Sequence, residues 1–196
     1  MKTLALLAMA TSPAALAWTP GTYSIDTAHS KVGFEVPHLV IATVEGRFNE
    51  YRGEVVVGEK LEDSKVSVAI DAKSVDTGNA KRDEHLRSAD FLDVEKHPKL
   101  TFRSRRVTGK REAFKVVGDL TLHGVTREVT LDGKFLGTAK DGWGNLKAAF
   151  AGEARINRKD YGLVWNKIVE IGPTVGEEVT IRLKVQGAKS AGVAAR

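Results

Sequence analysis

The sequence predicts an all-β fold: an eight-stranded antiparallel barrel with one short helical insertion. Three observations carry that expectation. Apolar and polar residues alternate in segment after segment, the period-two pattern of strands with one buried face. Turn-forming pairs stand between the segments: Gly58-Glu59, Gly109-Lys110, His123-Gly124, Asp141-Gly142 and Gly144-Asn145. Only one long stretch, residues 79–89, reads as helix.

The chain opens with a different pattern. Lys2 precedes an apolar run over residues 4–10, and Ala15-Leu16-Ala17 supplies the small-x-small pattern that signal peptidase cuts. Residues 1–17 are therefore expected to be an export signal, cleaved to leave Trp18 first. The run is too short to span a bilayer, and no later stretch is long and apolar enough to be an integral membrane helix.

The strands follow in order. Val32, Phe34 and Val36 alternate with Lys31, Gly33 and Glu35. Residues 47–57 form a second strand, bent near Gly53. Val66, Val68 and Ile70 mark the third, and Leu100 and Phe102 the fourth. Phe114, Val116, Gly118, Leu120 and Leu122 share one face of the fifth. Val129, Leu131, Gly133 and Phe135 do so in the sixth. Ala148, Phe150, Gly152, Ala154 and Ile156 mark the seventh, and Val179, Ile181, Leu183 and Val185 the eighth. Before the fourth strand, Asn79 is a capping residue for the helix. A shorter helical turn is expected near residues 158–161. Strands with a single apolar face must close into a barrel or stack as a sandwich. Gly118, Gly133 and Gly152 on the apolar face favour the curvature of a barrel and leave room inside it. Residues 18–187 read as one barrel domain, and residues 188–196, small and polar, as a flexible tail.

The bulk properties exclude several classes. The 196 residues are 42% hydrophobic and 28% charged, which suits one globular domain and not a disordered chain. Cysteine is absent, so there is no disulfide, thiolate metal site or cysteine nucleophile. The formal charge is +5, and cleavage before Trp18 would remove only Lys2. A mild, scattered excess of this kind fits attraction to anionic headgroups and falls short of a nucleic-acid footprint. The densest basic run, Arg103, Arg105, Arg106, Lys110 and Arg111, reads as a solvated strand and turn.

Four segments bear a resemblance to a known family: IDTAHSKVGFEVPHL (25–39), AKSVDTGNAKRDEHLRSADFLDVEKHPKLTF (72–102), GDLTLHGVTREVTL (118–131) and INRKDYGL (156–163). Together they make the chain similar to the YceI-like family, periplasmic lipocalin-like proteins that bind polyisoprenoid lipids. The resemblance covers residues 19–185. It implies a lipocalin-like barrel with a helical insertion, a long apolar tunnel and a periplasmic location.

The histidines invite a metal or catalytic reading. His29 follows Asp26 by three residues, His85 follows Asp83 and Glu84, and His97 follows Glu95. No HExxH or comparable pair is present, and His85 and His97 are too far apart in sequence to predict convergence. Hydrogen bonding of loops to the barrel rim is the expectation for these residues, with no metal site and no cofactor. Ser30 adjoins His29, but neighbours on a strand point to opposite faces, and no GxSxG elbow occurs. An enzyme is therefore not expected.

The expected site is a row of apolar side chains. The lining candidates are Phe34, Val36, Phe48, Val68, Phe102, Leu120, Leu122, Phe135, Phe150 and Ile156, with Leu39, Phe91, Leu92 and Trp165 at the mouth or as a plug. Arg82, Arg87 or Arg158 could meet a phosphate headgroup, although a solvated ion pair explains each one equally well. Burying one isoprene unit contributes roughly 3–4 kcal/mol before ordering costs. The leading expectation is a carrier or reservoir for a long-chain isoprenoid lipid, either a polyprenyl phosphate or an isoprenoid quinone. A lipid-modifying hydrolase or isomerase, or a stress-related module with a filled barrel, stands as the alternative. Alternation alone does not separate a lined lumen from a filled one, and it leaves a homodimer open.

Overall fold

The structure, a computed structural model, describes residues 17–169 and 172–190. Residues 1–16 of the expected leader and 191–196 of the expected tail lie outside the described residues.

Alternating residues fold into a closed antiparallel barrel of eight staves. The first three staves are each built from two segments. The first stave is β1 (Gly21–Ile25) and β2 (Lys31–His38). The second is β3 (Ala42–Phe48) and β4 (Tyr51–Val57), and the third is β5 (Lys65–Asp71) and β6 (Val75–Asp76). The other five are continuous: β7 (Lys99–Lys110), β8 (Ala113–Leu122), β9 (Val125–Lys140), β10 (Leu146–Asn157) and, after a small hairpin, β13 (Glu178–Lys189). The hairpin, β11 (Ile168–Val169) with β12 (Gly172–Pro173), forms a separate two-stranded sheet.

β13 closes the barrel. One edge pairs with β10 over eleven residues, and the other pairs first with β2 and then with β1. No stave is left with a free edge along this seam, so the main-chain groups of the wall are spent on the ladder. β13 also runs through Lys189, and the Ser190 amide donates to Thr22 O at 2.8 Å. The first residues of the expected tail are thus part of the wall.

The second stave breaks at Asn49-Glu50, between β3 and β4, and not at Gly53. Gly53 instead permits a close approach, since a Cβ there would lie 2.3 Å from Ser67 O. Two bulges interrupt the period of two. Arg105 is the extra residue where β7 meets β8, so Val107 takes the inward side, 3% exposed. Leu136 is the extra residue between β9 and β10 and is thrown outward.

The helix α1 spans Ala80–Arg87. The Asn79 side chain accepts from the Arg82 amide at 3.1 Å, and Ser88 ends the helix. Asp83 faces inward and accepts from the Thr77 amide and hydroxyl at 2.9 and 2.6 Å. Arg87 donates to Lys73 O and Val75 O, both at 2.8 Å, which fixes the helix across the end of the barrel. The expected turn over Arg158–Tyr161 forms as a 3-10 turn, capped by Asn157 and ended by Gly162 at φ 78°.

Two substitutions test the packing. Gly118→Ala would place a Cβ 2.4 Å from Arg103 O and 2.8 Å from Ser104 Cα, neither of which can rotate away. Urea unfolding should show a loss of about 1–3 kcal/mol. Tyr161 is 1% exposed, and its hydroxyl has no hydrogen-bond partner among the described residues. Tyr161→Phe removes that unpaired group and should leave the melting temperature unchanged or raise it.

Candidate functional site

The inward faces of the strands do not fill the barrel. They enclose a cavity of about 460 Å³ that runs from Trp18 and Val57 at one end to Phe91, Leu163 and Trp165 at the other. Its size falls in the range of small-molecule sites, about 300–1,000 Å³. The lining is almost wholly apolar and contains no carboxylate.

Twelve of the fourteen sequence candidates line it. Phe34, Val36, Phe48, Val68, Phe102 and Leu120 form the wall, with Leu122, Phe150 and Ile156. Phe91, Leu92 and Trp165 stand at the helical end. Leu39 and Phe135 do not line the cavity. Leu39 sits at the β2–β3 tip with φ 51°, where its amide donates to Thr174 O at 3.0 Å. Phe135 packs behind the floor, 5.3 Å from the Trp18 ring and 5.5 Å from Phe150, next to the bulge at Leu136.

Sequence reasoning missed the floor. Trp18 fills that end, its indole donating to Gly58 O at 2.7 Å, and the Arg111 guanidinium lies 5.0 Å above the ring. The signal was present in Trp18, a large aromatic residue directly after the expected cleavage motif. Val107 was missed because the bulge at Arg105 reverses the alternation that would have revealed it.

The helical end is built differently. His85 Nε2 donates to the Asp90 carboxylate at 2.8 Å, and the ring packs edge-on against Phe91 and Trp165, with ring centroids at 5.1 and 4.8 Å. Arg82, His85 and Arg158 reach the lining here. Arg158 is 3% exposed, and its guanidinium donates to Gly176 O at 2.8 Å, Val175 O at 3.3 Å and Leu163 O. These partners are neutral carbonyls, and burial lowers its pKa. Arg82 donates to the hydroxyl and carbonyl of Thr77 at 2.7 and 2.8 Å. Among the described residues, Arg87 binds the carbonyls named above and does not line the cavity. The rim beyond carries exposed Val40, Ile41, Val164 and Ile168.

His29 and Ser30 lie elsewhere. His29 meets Asp26 at 3.1 Å on the surface, while Ser30 exchanges hydrogen bonds with the main chain of Gln186. Neither lines the cavity. His97 lies beside His123 and not beside His85. In the basic run, Arg105 pairs with Asp119 at 2.8 Å in solvent, as a solvated strand requires.

Comparison with known proteins gives a consistent result. The model of the YceI-like domain matches residues 23–187. A UPF0312 protein of Pseudomonas paraeruginosa is 40% identical over 193 residues, covering 95% of this chain and 97% of that one. The crystal structure of the Campylobacter jejuni YceI protein superposes with a TM-score of 0.69 at 30% identity, over 85% of this chain and 96% of that one. A polyisoprenoid binding domain from Saccharophagus degradans, implicated in plant cell wall breakdown, shares the fold with a TM-score of 0.64 at 16% identity, over 88% of this chain and 100% of that one. No helix among the described residues is long and apolar enough to cross a membrane.

Arg158 is the test of the helical end. Arg158→Met keeps the stem but takes the donor from Leu163 O and Gly176 O, while Val175 O keeps the Asn166 amide at 2.7 Å, so thermal or urea unfolding should report a loss of about 2–3 kcal/mol.

Proposed function

This chain belongs to the YceI-like family, and on that premise we propose that it binds a long-chain isoprenoid lipid in the barrel. It acts as a carrier or reservoir and not as an enzyme. The observation that carries this reading is the cavity itself: long, apolar, closed by Trp18 at one end and free of carboxylates. Water in such a lumen finds almost no hydrogen-bond partner, whereas an alkenyl chain gains from every carbon it buries. The related fold of the Saccharophagus degradans polyisoprenoid binding domain supports the same ligand class.

The two ends set the orientation. The tail points to Trp18, and the headgroup stays among Arg82, His85 and Arg158, with His38 also in the lining at the helical end. A site with cationic donors and no carboxylate favours a phosphate, a pyrophosphate or the carbonyls of a quinone. The exposed apolar rim at that end suits transfer of the tail to and from a lipid surface. The export signal expected over residues 1–17 supports export, and the periplasm is the proposed location.

A catalytic reading finds less support. Ser30 and His29 are tied to other partners outside the cavity, and no lining residue presents a nucleophile with an adjacent base.

The test is native mass spectrometry of protein purified from its own periplasm, then of delipidated protein offered a polyprenyl phosphate, a prenylated quinone or inorganic pyrophosphate. The prenyl compounds should bind one per chain and be recovered unchanged, and pyrophosphate should not bind. Phe91→Ala and Trp165→Ala should each weaken uptake about tenfold. Protein that arrives bare and takes up neither prenyl compound would overturn the assignment, and chemically altered lipid would replace it with an enzyme.

A further inference from the structure

Outside the cavity, at the helical end, three side chains from distant positions in sequence converge. Asp93 and His97 lie on the loop between α1 and β7, and His123 lies on the turn between β8 and β9. Each offers one ligand atom, and the three atoms lie within 4.8 Å of one another. The two imidazoles stand 4.6 Å apart between centroids. All three residues are half-buried.

The local structure holds this arrangement in several ways. The amides of Lys96 and His97 both donate to Asp93 O, at 2.9 and 2.8 Å, which winds the loop so that residues 93 and 97 share one side. Gly124 clears space for the His97 ring, since a Cβ there would lie 2.7 Å from its Cε1. Asp93 and His123 occupy the left-handed region, with φ of 43° and 52°. Lys96 holds Asp93 Oδ2 at 2.9 Å, which leaves Oδ1 for another partner. His123 Nδ1 lies 3.1 Å from Tyr161 O. A carbonyl only accepts, so Nδ1 carries the proton and Nε2 keeps its lone pair free. Metal-binding histidines commonly have this second partner, which fixes the tautomer and aims the ring.

We propose that Asp93, His97 and His123 form a binding site for a divalent transition-metal ion of the zinc class, with water completing its coordination. Two imidazole nitrogens and one carboxylate suit zinc, cobalt, nickel or copper and not calcium or magnesium, which prefer shells of oxygen. Small side-chain rotations bring the ligand atoms to bonding distance. Such an ion clips the α1–β7 loop to the β8–β9 turn. The neighbours of its ligands, Leu92 and Leu122, line the cavity, so the clip braces one wall of the mouth.

The experiment is calorimetric titration of the chelator-treated, intact protein with Zn²⁺, repeated with Co²⁺ while its visible absorption is followed. One ion should bind per chain, with Co²⁺ bands of a mixed nitrogen and oxygen shell. His97→Gln and His123→Asn should each weaken binding at least tenfold. Asparagine tolerates the left-handed backbone at 123, and circular dichroism checks that both variants fold. His29→Gln, at a separate surface pair, should bind as the parent does. The absence of saturable binding overturns the proposal, and so does binding that survives in the folded double variant. Neither readout depends on lipid, so failure here leaves the carrier assignment untouched.

Discussion

The seam at β13 is the constraint on which the rest of the structure depends. A curved sheet with an apolar inner face is stable in water only when its last strand finds its first. Here the first stave is broken, and β13 must pair with both halves of it, β2 through Thr180–Lys184 and β1 through Gly187–Lys189. Ser30 and Asp26 hold the break, through the main chain and side chain of Gln186. Closing that seam removes the polar edge and leaves an interior whose only demand is apolar contact.

The two ends of the barrel meet this demand with different chemistry. The floor is aromatic and aliphatic packing around Trp18, Phe135 and Phe150, joined to the buried Tyr23 and Val57. The helical end is held by side chains that reach main-chain carbonyls: Arg158 to residues 163, 175 and 176, and Arg87 to residues 73 and 75. The asymmetry gives the cavity one end filled by ring packing and one end spanned by polar straps.

The staves were legible in the sequence wherever the period of two holds, because that period is a direct consequence of strand geometry. β8 is the clearest case, with Phe114, Val116, Leu120 and Leu122 all on the cavity side. Legibility failed at the bulges. One extra residue at Arg105 reverses the faces, so the fourth strand read as ending near residue 103 when it continues to Lys110. β1 was missed because the alternation in GTYSI is too short to stand out, with only Tyr23 and Ile25 apolar, and the strand is defined by its neighbours β4 and β13. Most of the cavity wall followed from the strand faces. Leu39 and Phe135 were misplaced by a tight tip and a bulge, and the meeting of His97 with His123 depends on loop paths that no local pattern encodes.

Whether the lumen is lined or filled turns on where the aromatic rings lie. Glycines on the inner face were expected to leave room by being small. The structure shows a different route. Phe34 lies over Gly46 of the adjacent strand, at 2.3 Å from where a Cβ would stand, and Phe114 lies over Gly133 at the same separation. Phe102 covers Gly118 at 2.7 Å. Each glycine gives a neighbouring ring a flat seat against the wall, and of the three named in sequence only Gly152 has no ring over it. Without its glycine, each of these three rings would have to shift off the wall toward the axis. Seated on the wall, the same rings supply apolar surface while leaving the axis free, so the glycine–aromatic pairs make this barrel a container.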